Sequence, residues 1–587
     1  MKKFTAYILT CLFFLGTNAQ YYLRGEIQDE KKAVLQNVKL KLQADKMLYY
    51  SGSSGGFGIS TTVLKDSLTL SLEGYETKTI FIRTDVFQSI TMKALFSKTA
   101  KHSHNLISVT RDHDQSQKFN SFISDESYFS LVENEEVNTA KFPNTSFSLN
   151  VNKASYSNIR RFLNMNSMVP PDAVRIEELL NYFTLHYKEP EKDDVFKIES
   201  QFSDCPWNNK SQLLYLSINA RKLDMNNVPP CNLVFLIDAS GSMDMPNRLP
   251  LVKGAFQMLV KNLRAIDTVS IVIYGGTVSV WLPPTGGNEK QKIIKSIEEM
   301  VATGDTPGES AIKMAYNLAR KSFIKGGNNR VILATDGDFN VGETSEKALD
   351  YLITNERKSG VYLTCLGVGM GNFKDSKLET LAKSGNGNYA YLDDIKEAEK
   401  VLVKEVTQTF FAVADDVFLN VNFNPQVIKQ YRLIGFDNKR EAISDTASSL
   451  EGGEVGSGNS VLAIFEVVKK DTDTLIGTQK ERDPVASVSL NYSVNNNSKG
   501  RNEIKYNCIN NYLPLTLIDK EYQFATSLVM FGMKLRQSKF VEKCTWNEIQ
   551  TIATNSYDPK DYLQTEFVRL INVAKKVYSK NKKNRNR

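Results

Sequence analysis

Asp238, Ser240 and Ser242 stand at alternate positions in the run Asp238-Ala-Ser-Gly-Ser242, and Thr306 and Asp336 come in two later loops. These five oxygen donors suit a hard divalent cation, Mg2+ first, with Mn2+ or Ca2+ as alternatives. A set rich in neutral hydroxyls leaves a bound cation much of its positive charge, so it attracts an incoming carboxylate. The chemistry expected here is metal-dependent binding of an Asp or Glu side chain on a partner protein. The plainer alternative is that these residues only cap strand ends and turns, as Ser and Asp commonly do.

Particular elements must bring the donors together. Leu233-Val-Phe-Leu-Ile237 is an unbroken apolar run, the mark of a strand buried on both faces of a parallel sheet. Its carboxyl end opens onto the crevice where such sheets hold ligands, and Gly241 lets the chain bend there. Val331-Ile-Leu-Ala334 predicts a second buried strand that delivers Thr335-Asp-Gly337. Gly304-Asp-Thr-Pro-Gly-Glu309 predicts a punctuated loop opening a helix and carrying Thr306. Amphipathic helices are expected over 249–263, 289–300, 309–322, 345–356 and 376–383, with further strands over 269–274 and 361–368. That alternation predicts a doubly wound α/β fold.

The Asp-x-Ser-x-Ser, Thr and Thr-Asp-Gly pattern resembles the metal-ion-dependent adhesion site (MIDAS) of von Willebrand factor type A domains, and all five positions match. The resemblance implies that Ser240, Ser242 and Thr306 ligate through their hydroxyls. It further implies that Asp238 and Asp336 act partly through water, with one coordination position left open. A Rossmann-like type A domain is thus expected over 230–410.

Catalysis is the weaker reading. A Mg-dependent hydrolase similar to the haloacid dehalogenase group needs a second carboxylate where Ser240 stands, so Asp238 has no acid/base companion. The four histidines, His102, His104, His113 and His186, all precede the sheet and are expected to be solvated or incidental. No catalytic residues and no organic cofactor are expected.

With 587 residues, 41% hydrophobic and 24% charged, the chain predicts several soluble domains. Lys2-Lys3, the apolar run 4–16 and Thr17-Asn-Ala19 predict a signal peptide over 1–19, hence export to the periplasm, the cell envelope or beyond the cell. Cys11 lies too deep in that run, behind Leu9-Thr10, for a lipid anchor. No later stretch reaches spanning length, which argues against a pore of transmembrane helices. Of Cys205, Cys231, Cys365, Cys508 and Cys544, only the first two lie close enough in sequence to suggest a bridge.

The formal charge of +7 falls to about −2 once Lys2, Lys3 and the basic residues of 575–587 are set aside, so no nucleic-acid-binding face is expected. The basic tail, 576–587, predicts a solvated, disordered end with at most weak contact to an anionic membrane surface.

Residues 20–95 alternate polar and apolar in short runs. Together with Ser54-Gly-Gly-Phe-Gly-Ile59 and Leu72-Glu-Gly-Tyr-Glu-Thr77 they resemble the carboxypeptidase-regulatory-like β-sandwich. A polar linker is expected over 96–138, where His102-Ser-His104 and Asp112-His-Asp114 read as incidental. Segments 139–229 and 411–575 resemble the flanking regions of a bacterial type A subgroup often labelled calcium-activated chloride channel homologues. Asn150, Asn152 and Asn459 stand where that subgroup usually has Asp, Asp and His. The expected function is an exported adhesion or scaffold protein. An accessory subunit of an envelope transport or assembly complex, with a structural cation site, is the alternative.

Overall fold

The computed structural model describes residues 21–94 and 126–585 with interruptions, the longer ones at 338–345, 438–452, 471–483 and 495–500. The chain forms two units, Met1–Gln115 and Ser116–Arg587.

In the first unit, strands Tyr21–Asp29, Gly56–Thr61 and Gln88–Met92 make one sheet, while Tyr49–Tyr50, Lys39–Leu42, Lys65–Ser71 and Lys78–Arg83 make another. Strict alternation buries Leu40, Leu42, Leu68 and Leu70 beside Leu23, Ile27 and Ile59 in one core shared by the two sheets. His102, His104, His113 and most of the expected linker lie outside the described residues.

The second unit is built around β1 (Cys231–Asp238), α1 (Leu249–Lys261), β2 (Thr268–Gly275), β3 (Thr277–Gly286), α2 (Lys290–Glu298), α3 (Gly308–Lys321), β4 (Asn328–Thr335), α4 (Glu346–Arg357), β5 (Tyr362–Val368), α5 (Asp375–Ser384) and β6 (Tyr389–Leu392). The sheet order is β3-β2-β1-β4-β5-β6. Only β3 runs antiparallel, along an edge; its Pro283 and Pro284 conceal it in the sequence, because proline suits edges and interrupts strand patterns. Alternate residues of β1 face opposite layers. Phe235 and Ile237 pack with Phe256 and Leu259 of α1, and Val234 and Leu236 pack with Ile312 and Tyr316 of α3. The doubly wound α/β reading holds, with β1 at the centre.

The flanking segments interleave. Strands Phe196–Asp204 and Gln212–Ala220, from before the central domain, continue into Ser460–Lys469 and Ile428–Ile434 from after it. Strand Asn144–Phe147 likewise pairs with Ala412–Phe423. The two flanks thus share their sheets. Helices Ala154–Asn164, Ile176–Asn181, Lys520–Leu535, Trp546–Ser556 and Tyr562–Arg585 add an aromatic core that includes Phe183, Phe524 and Phe567.

Three expectations change. Part of the linker is engaged: Asn134 Nδ2 donates to the carbonyls of Leu433, Gly435 and Phe436, and Val137 pairs with Tyr431. The basic tail continues a helix through Arg585, propagated from the packed turns before it. Cys205 and Cys231 are free, buried in different apolar clusters, so they form no bridge. Among the described residues no helix is long and apolar enough to cross a membrane.

Candidate metal centre

Parallel pairing places the ends of β1, β2 and β4 side by side, with Asp238 opposite Tyr274 and Ile237 opposite Ala334. Asp238 ends β1 fully buried, and Asp336 comes just after β4 with 1% exposure. The backbone then leaves the sheet: Ala239 N donates to Tyr274 O at 2.7 Å, and Gly241 N to Gly304 O at 3.0 Å. The second bond brings Gly304 up to the serine run. Thr306 itself lies outside the described residues.

Gly304 can approach because it has φ +77° and faces another glycine; a Cβ there would lie 2.5 Å from Gly276 Cα. Gly337, at φ +90°, turns the chain after Asp336, where a Cβ would meet Lys374 N at 2.6 Å.

Asp238 is held at both oxygens. Oδ1 accepts from Ser240 N at 2.9 Å and Oδ2 accepts from the Thr335 hydroxyl at 2.8 Å. Ser240 Oγ and Ser242 Oγ stand 3.1 Å apart, the former residue buried and the latter exposed. Burial, then the charge of Asp336, pushes the Asp238 carboxyl up to about 7. A cation held at this site would offset the repulsion between the two carboxylates.

The donor set fits such an ion. Adjacent oxygens around octahedral Mg2+ at about 2.1 Å stand about 3.0 Å apart, close to the 3.1 Å between the serine hydroxyls. Asp238, Ser240, Ser242 and Asp336 are therefore brought to one end of the sheet, as their spacing predicts.

Arg248 is the residue that sequence reasoning missed. Its guanidinium donates to Asp336 Oδ2 at 2.7 Å, to Ser242 O at 2.6 Å and to Met370 O at 2.9 Å, joining three loops. A single arginine ahead of a helix carries no motif that reveals this. Thr335 was visible as part of Thr-Asp-Gly, but its bond to Asp238 depends on the pairing of β1 with β4.

Known proteins carry the same segments. The family model described as von Willebrand factor type A domain matches residues 232–404, and one described as von Willebrand factor matches 122–215. A third, described as Uncharacterized protein YfbK, C-terminal, matches 408–577. YfbK of Escherichia coli K12 is 34% identical over 475 residues, covering 76% of this chain and 80% of that protein. The chain belongs to the YfbK family.

The candidate centre falls inside the segment that the type A model matches. Human inter-alpha-trypsin inhibitor heavy chain H3 is 29% identical over 168 residues, 27% of this chain and 19% of its own. A solved von Willebrand factor type A protein from Catenulispora acidiphila, 14% identical, covers 64% of this chain and 88% of its own at a TM-score of 0.38. Type A domains typically mediate protein–protein interaction and adhesion, and typically bind a divalent cation at this position; such relatives are generally not enzymes.

Proposed function

We propose that this YfbK-family protein is an exported adhesion or scaffold protein that holds a partner's Asp or Glu carboxylate through a divalent cation, Mg2+ foremost. The observation that carries this reading is the convergence of two buried carboxylates, Asp238 and Asp336, with paired serine hydroxyls at the end of β1. Ser240 and Ser242 would hold the ion directly with Thr306, and Asp238 and Asp336 would neutralise part of its charge. When bound, the ion would supply a positive centre that attracts the partner's carboxylate. Arg248 keeps Asp336 in place. Among the described residues the one histidine, His186, lies against Glu199 and Asp519 and gives Ser240 and Ser242 no base. The amino-terminal sandwich serves as a spacer, as its carboxypeptidase-regulatory-like resemblance implies.

Isothermal titration of the protein without its first nineteen residues tests the ion. One equivalent of Mg2+ or Mn2+ should bind the parent and not Asp238→Ala. Capture of an envelope protein should then need the cation and fail with Ser240→Ala. Cation-independent capture would turn the reading to an accessory subunit with a structural ion.

A further inference from the structure

Away from the type A domain, His186 sits where the two flanking segments meet. It comes after helix Ile176–Asn181, and its side chain is 5% exposed. That burial corrects the expectation of a solvated histidine. The ring lies 4.3 Å from Tyr522 at an interplanar angle of 33°, so its orientation is set by packing. Both ring nitrogens face carboxylates. Nε2 is 3.1 Å from Glu199 Oε2, and Nδ1 is 3.4 Å from Asp519 Oδ2. Glu521 stands near Asp519, and single ligand atoms of His186, Asp519 and Glu521 all lie within 4.8 Å of one another.

We infer that His186, Asp519 and Glu521 form a second cation site, selective for a borderline ion such as Zn2+. Four features carry this. A charge-assisted N–H···O bond normally closes to about 2.7–2.9 Å, so 3.4 Å from Nδ1 to Asp519 is long for one. The same separation suits two ligands of a tetrahedral ion, which stand about 3.3 Å apart when each is about 2.0–2.1 Å from the metal.

Next, Glu199 stands on Nε2, the carboxylate partner that metal-binding imidazoles keep on their other nitrogen; with Nε2–H donating to it, Nδ1 would be left to face the acidic pair. Third, Asp519 precedes helix Lys520–Leu535, yet its side chain makes no capping bond and remains available. Last, Glu199, Asp519 and Glu521 are three acids around one ring, with Lys188 paired to Glu199 at 3.1 Å. That balance attracts a dication.

Glu521 is exposed, and its carboxylate lies within 4.8 Å of the other two ligand atoms, so it could complete the set. One nitrogen with two carboxylate oxygens favours Zn2+ over Mg2+, which takes oxygens alone and keeps its waters. The Asp519 side chain is 60% exposed, so an ion could reach this cluster from solvent. An ion there fastens His186 from the first flank to the opening turn of a helix in the second. This inference stands apart from the magnesium site.

The test uses the full exported chain with His102, His104 and His113 changed to alanine, so that the other imidazoles bind no metal. Titration with zinc chloride should show one tight equivalent. Asp519→Asn/Glu521→Gln, both at the surface, should weaken it at least tenfold without moving the melting temperature in chelator. His186→Ala should abolish it. Cobalt(II) should give a visible absorption band in the parent that the double variant lacks. The equivalent should persist in Asp238→Ala, which separates this site from the type A centre. Zinc uptake unchanged by both sets of variants overturns the inference, as does the absence of any tight equivalent in the parent.

Discussion

Arg248 donates to Asp336 across 2.7 Å, with both side chains almost fully buried, at 9% and 1% exposure. The pair supplies a positive charge inside a site that otherwise gathers acids. Asp238 lies beside the same acid with no ion pair among the described residues, and burial with the Asp336 charge pushes its carboxyl up to about 7.

Removing the Arg248 charge should expose the strain between the acids. Breaking a buried ion pair from one side costs about 3–5 kcal/mol. Arg248→Ala should lose about that much stability to urea in chelator and recover part of it when Mg2+ is added. Equal urea midpoints for the variant and the parent in chelator would show that the pair does not hold the loops.

Gly304→Ala should uncouple binding from folding. Its Cβ has no room against Gly276 Cα at 2.5 Å, and φ +77° disfavours alanine. The loop must withdraw from Gly241, whose N–H would lose the Gly304 carbonyl. Mg2+ affinity should fall at least tenfold by titration calorimetry, while unfolding in chelator shifts by only about 1–2 kcal/mol.

One buried cation ties the first flank to two later segments. Arg160, 3% exposed, bonds to Asp393 and to Glu397 at 2.7 Å, both after β6, and to Glu566 at 3.0 Å in the carboxyl-terminal helix. Arg160→Ala leaves three acids facing each other and should cost at least about 3–5 kcal/mol. Limited proteolysis should then release the carboxyl-terminal helix first. A digestion pattern like that of the parent would place the main clamp elsewhere.

Glu454 should impose a pH dependence on stability. Burial, opposed by Arg330 and reinforced by Asp415, lifts its carboxyl from 4.5 to about 7. A raised carboxyl favours the folded state while protonated. Its contribution is therefore fully present below about 4.5 and is lost as pH rises through about 7. Glu454→Gln should flatten the fall in melting temperature between about pH 5 and pH 8. An unchanged slope would mean that Glu454 is solvated.

The sequence by itself determined the doubly wound core and most of the candidate centre. An apolar run such as Leu233–Ile237, too short for a helix and followed by Asp-Ala-Ser-Gly, reads as a strand covered on both faces, with the residues after it turning at the sheet end. Local spacing therefore grouped Asp238, Ser240 and Ser242 after one strand and put Asp336 after another, and the parallel pairing of β1 with β4 joined the two. The tertiary structure alone decided that Arg248 meets Asp336 across 88 residues. It alone decided that strands on either side of the central domain join one sheet and that His186 is buried against Tyr522. It also left Cys205 and Cys231 in separate cores. Those outcomes depend on contacts between residues distant in the chain, and side-chain periodicity reports only which face of its own element a residue occupies.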